Sequence, residues 1–286
     1  MTNFELVKIA LDNLYAEATV LYGLTTDNVI NQQMNYLSTS YGGLNDPTRQ
    51  PVNYKDPATR FAYVYKYVAS HSDYVVQVLQ QLQAKVGSPV FSQDNLRLSC
   101  IGGGPGSDII GVLRYLDESK EPVKKVTCYL LDREQAWADT WTELDDSMSL
   151  STALNVNFQP LDVTDPLSWA QQTKFQQADL FTMSYFVSEV KSLDVNGVVS
   201  MFWTTLFKNA KPGALFLYND NGHYSFNDYF DVLWQAAGLE LVISATNEPT
   251  WPRNVEQRSE LKEYLMKFSQ SPKLKTPLTY RVLRKP

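Results

Sequence analysis

The sequence has little cysteine, little histidine, no long apolar run and no excess of positive charge. Two cysteines, Cys100 and Cys128, and two histidines stand among 286 residues. Both cysteines fall inside apolar runs that read as strands. A disulfide framework and a metal site are therefore not expected, and two buried free thiols in a reducing compartment are. No apolar run approaches the roughly 20 residues that a membrane span needs. The start, Met1-Thr-Asn-Phe-Glu-Leu6, has no basic stretch followed by an apolar one, so no secretory signal is read and a cytosolic, cytoplasmic protein is expected. Lys and Arg number 25 against 31 Asp and Glu, for a formal net charge of −6. Nucleic-acid binders ordinarily carry a basic face that neutralises phosphates. The acidic balance disfavours nucleic acid as a partner without excluding a local basic patch, and it suits a small or cationic substrate.

What is present is an ordinary globular composition, 44% hydrophobic and 20% charged, with 17 tyrosines. A Tyr-rich chain can line pockets that are apolar in the middle and polar at the tip. The length allows one large domain, or one domain with an extension; a monomer or a homodimer is expected. Residues 3–24 carry apolar positions at Phe4, Val7, Ile9, Leu11, Leu14, Ala18 and Leu21, a spacing that suits an amphipathic helix, and Thr26 to Leu37 reads as a second helix. Residues 38–57 cluster Gly, Pro, Asn and Asp as a loop does. Asp56-Pro57 reads as cap and first residue of a helix through Val68, with a further helix over 72–85.

From residue 96 short β-branched runs alternate with helical stretches. Strands are expected at Leu96–Ile101, Val126–Leu131, Val156–Leu161, Ala178–Tyr185, Ala214–Tyr218, Leu239–Ala245 and Thr279–Leu283. Helices are expected at Asp108–Leu116, Glu134–Met148, 195–209, Phe226–Ala237 and 255–268. Strand alternating with helix argues for a doubly wound α/β sheet. Near-continuous apolar strands such as Cys128-Tyr-Leu-Leu131 argue that it is parallel and covered on both faces. The final strand has no helix after it and has room to insert antiparallel.

Between the first strand and its helix lies Gly102-Gly-Gly-Pro-Gly106, with Ser107 and Asp108 opening the helix. Glycine lets a backbone turn sharply and approach a ligand, and the helix offers free amides and a positive dipole end. Alone, such a loop is also a plain tight turn. Two further strand ends carry acids. Asp132, followed by Arg133 and Glu134, is placed to accept hydrogen bonds from ribose hydroxyls. Asp162, with Val163 beside it, can reach an adenine amino group. Gly102, Gly104 and Gly106 make the Gly-x-Gly-x-Gly spacing, with Gly103 between the first two, while Ser107 holds the position where a nicotinamide-type Gly-x-Gly-x-x-Gly needs glycine.

With these residues in place, the segment 91–286 resembles the class I S-adenosylmethionine-dependent methyltransferases. The resemblance implies a Rossmann-like, seven-stranded, mostly parallel sheet with helices on both faces, preceded by a helical cap or lid over residues 1–90. It implies S-adenosyl-L-methionine as cofactor, held by Gly102, Gly103, Gly104, Gly106, Asp108, Asp132, Arg133, Asp162, Val163, Ser184 and Tyr185, with Arg60 or Tyr63 reaching over from the cap. Lys211-Pro-Gly213 is similar to the family's turn before its fifth strand. Cys100 departs from the pattern, since many members carry an acid there.

The acceptor is less determined. The layout resembles small-molecule N- or O-methyltransferases of the histamine type, and the Gly-Gly-Gly-Pro-Gly run is similar to that of ribosomal-RNA uridine methyltransferases. Ser184-Tyr185 and Glu189 follow the fourth strand, and Tyr218-Asn-Asp-Asn-Gly-His223 follows the fifth. Tyr185, Glu189, Asp220 and His223 are the candidate catalytic groups, and Tyr36, Tyr41, Asn219 and Asn221 the candidate substrate contacts. His71 reads as structural or solvated, amid Ser and Asp. The function expected is methyl transfer to N or O of a small molecule. An RNA methyltransferase, a non-catalytic cofactor-binding scaffold and a nicotinamide oxidoreductase stand as alternatives.

Overall fold

A computed structural model describes residues 1–286 except Asn45, Pro47, Arg49, Ser88, Ser149 and Leu150. The first helices are α1 (Asn3–Tyr22), α2 (Thr26–Gly42), α3 (Pro57–Tyr63) and α4 (Ala69–Val86). Local chemistry starts them where expected. Thr2 and Glu5 form a reciprocal capping box on α1, and the Asp56 carboxylate accepts the Ala58 amide with Pro57 in the first turn. Helix α2 runs five residues beyond the expected Leu37, so the loop begins only after Gly42. Asn45, Pro47 and Arg49 of the expected loop lie outside the described residues. The two helices expected over 57–68 and 72–85 are one continuous rod, joined by a π-turn at Val64–Val68. The wider i→i+5 turn keeps residues four apart in line, so Tyr63, Tyr67 and His71 share a face, while Arg60 turns away from it.

The sheet holds β1 (Asn95–Ile101), β2 (Lys125–Asp132), β3 (Ala153–Pro160), β4 (Leu180–Ser184), β5 (Leu215–Asn221), β6 (Glu240–Thr250) and β7 (Thr276–Arg284). Their order is β3-β2-β1-β4-β5-β7-β6. Strands β1 to β5 run parallel, and β7 inserts antiparallel between β5 and β6. The chain reverses its winding direction between β1 and β4, and open α/β sheets bind ligands at the carboxyl ends beside such a switch point. The connecting helices are α5 (Ser107–Ser119), α6 (Ala136–Asp146), α7 (Pro166–Trp169), α8 (Val187–Val190), α9 (Val198–Asn209), α10 (Tyr224–Ala236) and α11 (Lys262–Phe268).

Two apolar layers cover the sheet. One joins α1, α2, α3, α4 and α5 to Leu98, Cys100, Cys128 and Leu130 in a single cluster. The other packs Trp203, Phe207 and Phe230 on Phe181 and Phe216, whose rings stack 4.6 Å apart. Cys100 and Cys128 are free and buried, with sulfurs 3.9 Å apart. Cys100, where the resemblance leads one to expect an acid, is thus part of the core, and burial pushes its thiol well up. No described helix is long and apolar enough to cross a membrane.

Helices α4 and α5 touch backbone to side chain at Gly111, where an added Cβ would stand 2.5 Å from the Ser72 carbonyl oxygen and 2.7 Å from Val75. A Gly111→Val substitution should cost about 1–3 kcal/mol by overpacking, read as a lower urea midpoint. An unchanged midpoint would contradict this close approach.

Candidate active site

The glycine loop turns at Gly102 and Gly104, both at positive φ, before α5. Three of its glycines have no room for a side chain. A Cβ on Gly102 would enter the Phe186 ring at 1.9 Å, one on Gly103 would meet Leu130 at 2.4 Å, and one on Gly106 would meet Trp141 at 2.2 Å. Gly104 differs: only Trp137, 3.9 Å away, faces its open side. Its amide donates to Asp132 Oδ2 at 3.0 Å, and the Glu134 amide donates to Oδ1 at 2.9 Å. The loop after β1 and the acid that ends β2 are thereby locked together. Asp162 lies two residues past β3, and its Oδ1 accepts the Thr164 amide and hydroxyl.

These groups line one cleft of about 90 Å³ with Arg133, Val163, Ser184, Phe186 and, from the helical layer, Val52, Tyr54 and Tyr63. A second cavity of about 180 Å³ adjoins it, lined by Tyr41, Tyr67, His71, Tyr74, Asn221, His223, Phe226 and Lys273. Tyr63, Tyr185 and Glu189 border both. Tyr185 forms much of the shared wall. Its φ is +56°, its amide donates to the Asn219 carbonyl at 2.8 Å, and its ring lies 4.0 Å from that of His71 at 8°. The Tyr41 hydroxyl donates to Glu189 Oε1 at 2.9 Å and also bonds the Tyr54 hydroxyl.

Burial dominates the electrostatics. It raises Tyr41, Tyr54, Tyr63 and Tyr185 well above 10, with the nearby Glu189 charge acting the same way on the first three, and it pushes Tyr67 up to about 12. These rings are phenols at neutral pH. Burial pushes His71 down to about 3, helped by the charge of Lys273, so its imidazole is neutral. Burial also lifts Asp132 to about 6 and Asp220 to about 7.

Of the residues read from sequence, the structure brings Gly102, Gly104, Asp132, Arg133, Asp162, Val163, Ser184, Tyr185, Tyr63 and Glu189 to the first cleft. It brings Tyr41, Asn221 and His223 to the second. Others stand elsewhere. Gly103 and Gly106 shape the turn from behind, facing Leu130 and Trp141. Asp108 is buried beside Thr182 and Ser184 of β4, and burial raises its carboxyl. Arg60 is committed to Glu17 at 2.6 and 2.7 Å and to the Tyr54 and Lys55 carbonyls, so it does not reach the cleft. Tyr36 is exposed on the outside of α2. Asn219 is fully buried, its carbonyl serving Tyr185. Asp220 lies behind the cavity wall and accepts the Ser188 amide at 3.0 Å and the Asn221 amide at 2.7 Å, which ties α8 to the end of β5. His223 caps α10 through its ring, accepting from the Ser225 amide at 3.3 Å.

Sequence reasoning missed His71, Tyr74, Trp137, Phe186 and Lys273. The four-residue spacing Tyr63, Tyr67, His71 was the available signal for the first. Among the described residues, no group of three or more His, Cys, Asp or Glu could hold a metal ion.

A parallel sheet of this order, with a glycine turn after β1 and carboxylates at the end of β2 and just past β3, defines a nucleoside-binding α/β protein. A family model described as "Putative SAM-dependent methyltransferase" matches residues 53–225, more than half of the chain, and the chain belongs to that family. No curated protein matches the chain. Among solved structures it is similar to the mitomycin 7-O-methyltransferase MmcR (15% identity, 80% of this chain and 57% of that one, TM-score 0.47). It is also similar to an O-methyltransferase family protein from Burkholderia thailandensis (13%, 90% and 71%, 0.45) and to the 16S rRNA methylase ArmA (10%, 87% and 97%, 0.44). The chain thus spans little more than half the length of MmcR. At these scores the likenesses bear on neither acceptor nor chemistry.

The cleft fits the cofactor. Gly104 leaves its face open for close approach, and the Asp132 carboxylate, bound by two amides, retains lone pairs for a diol. The Ser184 hydroxyl is buried without a protein partner. Asp132→Ala should weaken S-adenosylhomocysteine binding about 10- to 100-fold by calorimetry, the loss of charge-assisted hydrogen bonds; unchanged affinity would remove Asp132 from the site. Asp220 yields a second test. Its folded-state value of about 7 exceeds the ordinary 3.8, so its contribution to stability is full below pH 4 and is lost as pH rises through 7. Asp220→Asn keeps an oxygen acceptor but no charge. Its urea midpoint should match wild type near pH 4 and exceed it at pH 8; an equal gap at both would sink this account.

Proposed function

We propose that the chain transfers a methyl group to a nitrogen or oxygen of a small, planar acceptor seated in the Tyr- and His-walled cavity. The observation that carries this reading is the shared border: Tyr63, Tyr185 and Glu189 line both the cofactor cleft and a separate aromatic cavity. When bound, S-adenosylmethionine supplies a sulfonium-activated methyl, so much of the protein's contribution is positioning. Asp132, Asp162, Val163 and the glycine turn hold the nucleoside part. Tyr63, Tyr67 and Tyr185 flank the acceptor and exclude water. Glu189 receives the acceptor's proton if one must leave, with Tyr41 fixing its Oε1. Asp220 positions Glu189 through the Ser188 amide next to it. Residues 1–90 serve as the cap, supplying Tyr41, Tyr54, Tyr63, Tyr67 and His71. The substrate cavity favours a free small molecule over RNA because its walls are buried rings and the chain is acidic overall.

The test is methyl transfer from tritiated cofactor to a panel of phenols, amines and heteroaromatic compounds, run beside ribosomal RNA. Labelling of free small molecules supports the proposal, and labelling of RNA alone overturns it. With an active acceptor, Glu189→Gln should lower kcat about 10²- to 10⁴-fold while cofactor affinity stays within about threefold. Full activity of that variant would show that Glu189 takes no proton.

A further inference from the structure

His71 is in an unusual position for a histidine. It is 6% exposed, borders the acceptor cavity, and among the described residues neither ring nitrogen has a hydrogen-bond partner. Rings hold it in place: Tyr185 at 4.0 Å and 8°, and Tyr67 at 5.5 Å and 28°. A buried polar group without a partner is costly, and one that faces a cavity is satisfied when a ligand supplies the missing bond.

Lys273 borders the same cavity and not the cofactor cleft. Its backbone is clamped on both sides. Its amide donates to the Lys66 carbonyl at 2.9 Å, and its carbonyl accepts the Ser70 hydroxyl at 3.1 Å. The next carbonyl, of Leu274, accepts the Tyr74 hydroxyl. The strap is thus pinned to α4, yet no carboxylate of the described residues pairs with the Lys273 ammonium. The strap delivers an unpaired cation to the rim of a cavity whose wall holds an unpartnered imidazole, and the ammonium is near enough to act on that imidazole electrostatically.

Resting on the acceptor-cavity reading above, we infer that Lys273 and His71 form an anion subsite, and that the acceptor is an aromatic ring bearing a carboxylate. The carboxylate takes a charge-assisted bond from Lys273 and an N–H bond from the neutral His71 tautomer. The ring lies among Tyr67, Tyr185 and Phe226. The nucleophilic atom then faces Glu189, on the wall shared with the cofactor cleft. One negative group in the cavity's own wall and one positive group at its rim give the acceptor a fixed direction, which in-line transfer requires.

The experiment compares three probes with the same ring and different tails on the S-adenosylhomocysteine-loaded protein: 4-hydroxyphenylacetate, 2-(4-hydroxyphenyl)ethanol and tyramine. Calorimetry should show the carboxylate binding at least tenfold tighter than the alcohol, with tyramine weakest. Lys273→Met changes an exposed side chain and should abolish that preference while leaving the alcohol's affinity unchanged; His71→Phe keeps the stack and should reduce it several-fold. Equal binding of all three, tighter binding of tyramine, or a preference that survives Lys273→Met overturns the anion subsite alone. If none of the rings binds while S-adenosylhomocysteine does, the acceptor-cavity reading falls and this inference with it.

Discussion

The stack of Tyr185 on His71 is the contact on which the site depends. Tyr185 directly follows β4 at a φ of +56°, a conformation that costs a bulky residue about 1–3 kcal/mol. Its amide bond to Asn219, its hydroxyl near Thr276 at 3.3 Å and the parallel imidazole 4.0 Å away offset that cost. Holding Tyr185 in this pose makes one ring serve as a wall for two cavities. It also couples the N-terminal helices to the carboxyl edge of the sheet, because His71 belongs to α4 and Tyr185 to the turn that follows β4. Without the helical layer the second cavity would lose the walls that Tyr63, Tyr67, His71 and Tyr74 supply.

The second constraint is the crowding behind the glycine turn. Phe186, Leu130 and Trp141 occupy the places where side chains at 102, 103 and 106 would go. The loop therefore lies flat against the sheet and α6, and of the two glycines that line the cleft, Gly102 and Gly104, Gly104 keeps an open face. Asp132 then closes the arrangement by accepting the Gly104 amide. Glycines that pack and a glycine that admits a ligand thus have separate reasons within one five-residue run.

The α/β half was legible because its signals are local. Strands β1, β2 and β4 are short apolar runs, and the acids sit at the last residue of β2 and two residues past β3. All seven strands appear within a few residues of their expected places, although β6 and β7 extend further because they pair with each other over a bulged register. The helical half was harder to read. Ser70, His71, Ser72 and Asp73 look solvent-facing in sequence, yet all four are buried. What buries them arrives from about 180 to 200 residues away: Arg253 bonds both Asp73 oxygens, and the strap at Lys273 covers Ser70. No local period reports such a cover. Arg60 was misplaced for a related reason. The π-turn after it realigns Tyr63, Tyr67 and His71 and leaves Arg60 to Glu17 on α1.

Tyr185 and Glu189 stand between the nucleoside cleft and the proposed acceptor cavity. A crystal structure with S-adenosylhomocysteine tests this arrangement most directly. The expected result is ribose on Asp132, adenine beside Asp162 and Val163, and the sulfur directed at the Tyr185–Glu189 border toward the cavity that His71 lines. A sulfur directed away from that border, or a nucleoside bound elsewhere on the sheet edge, would contradict it.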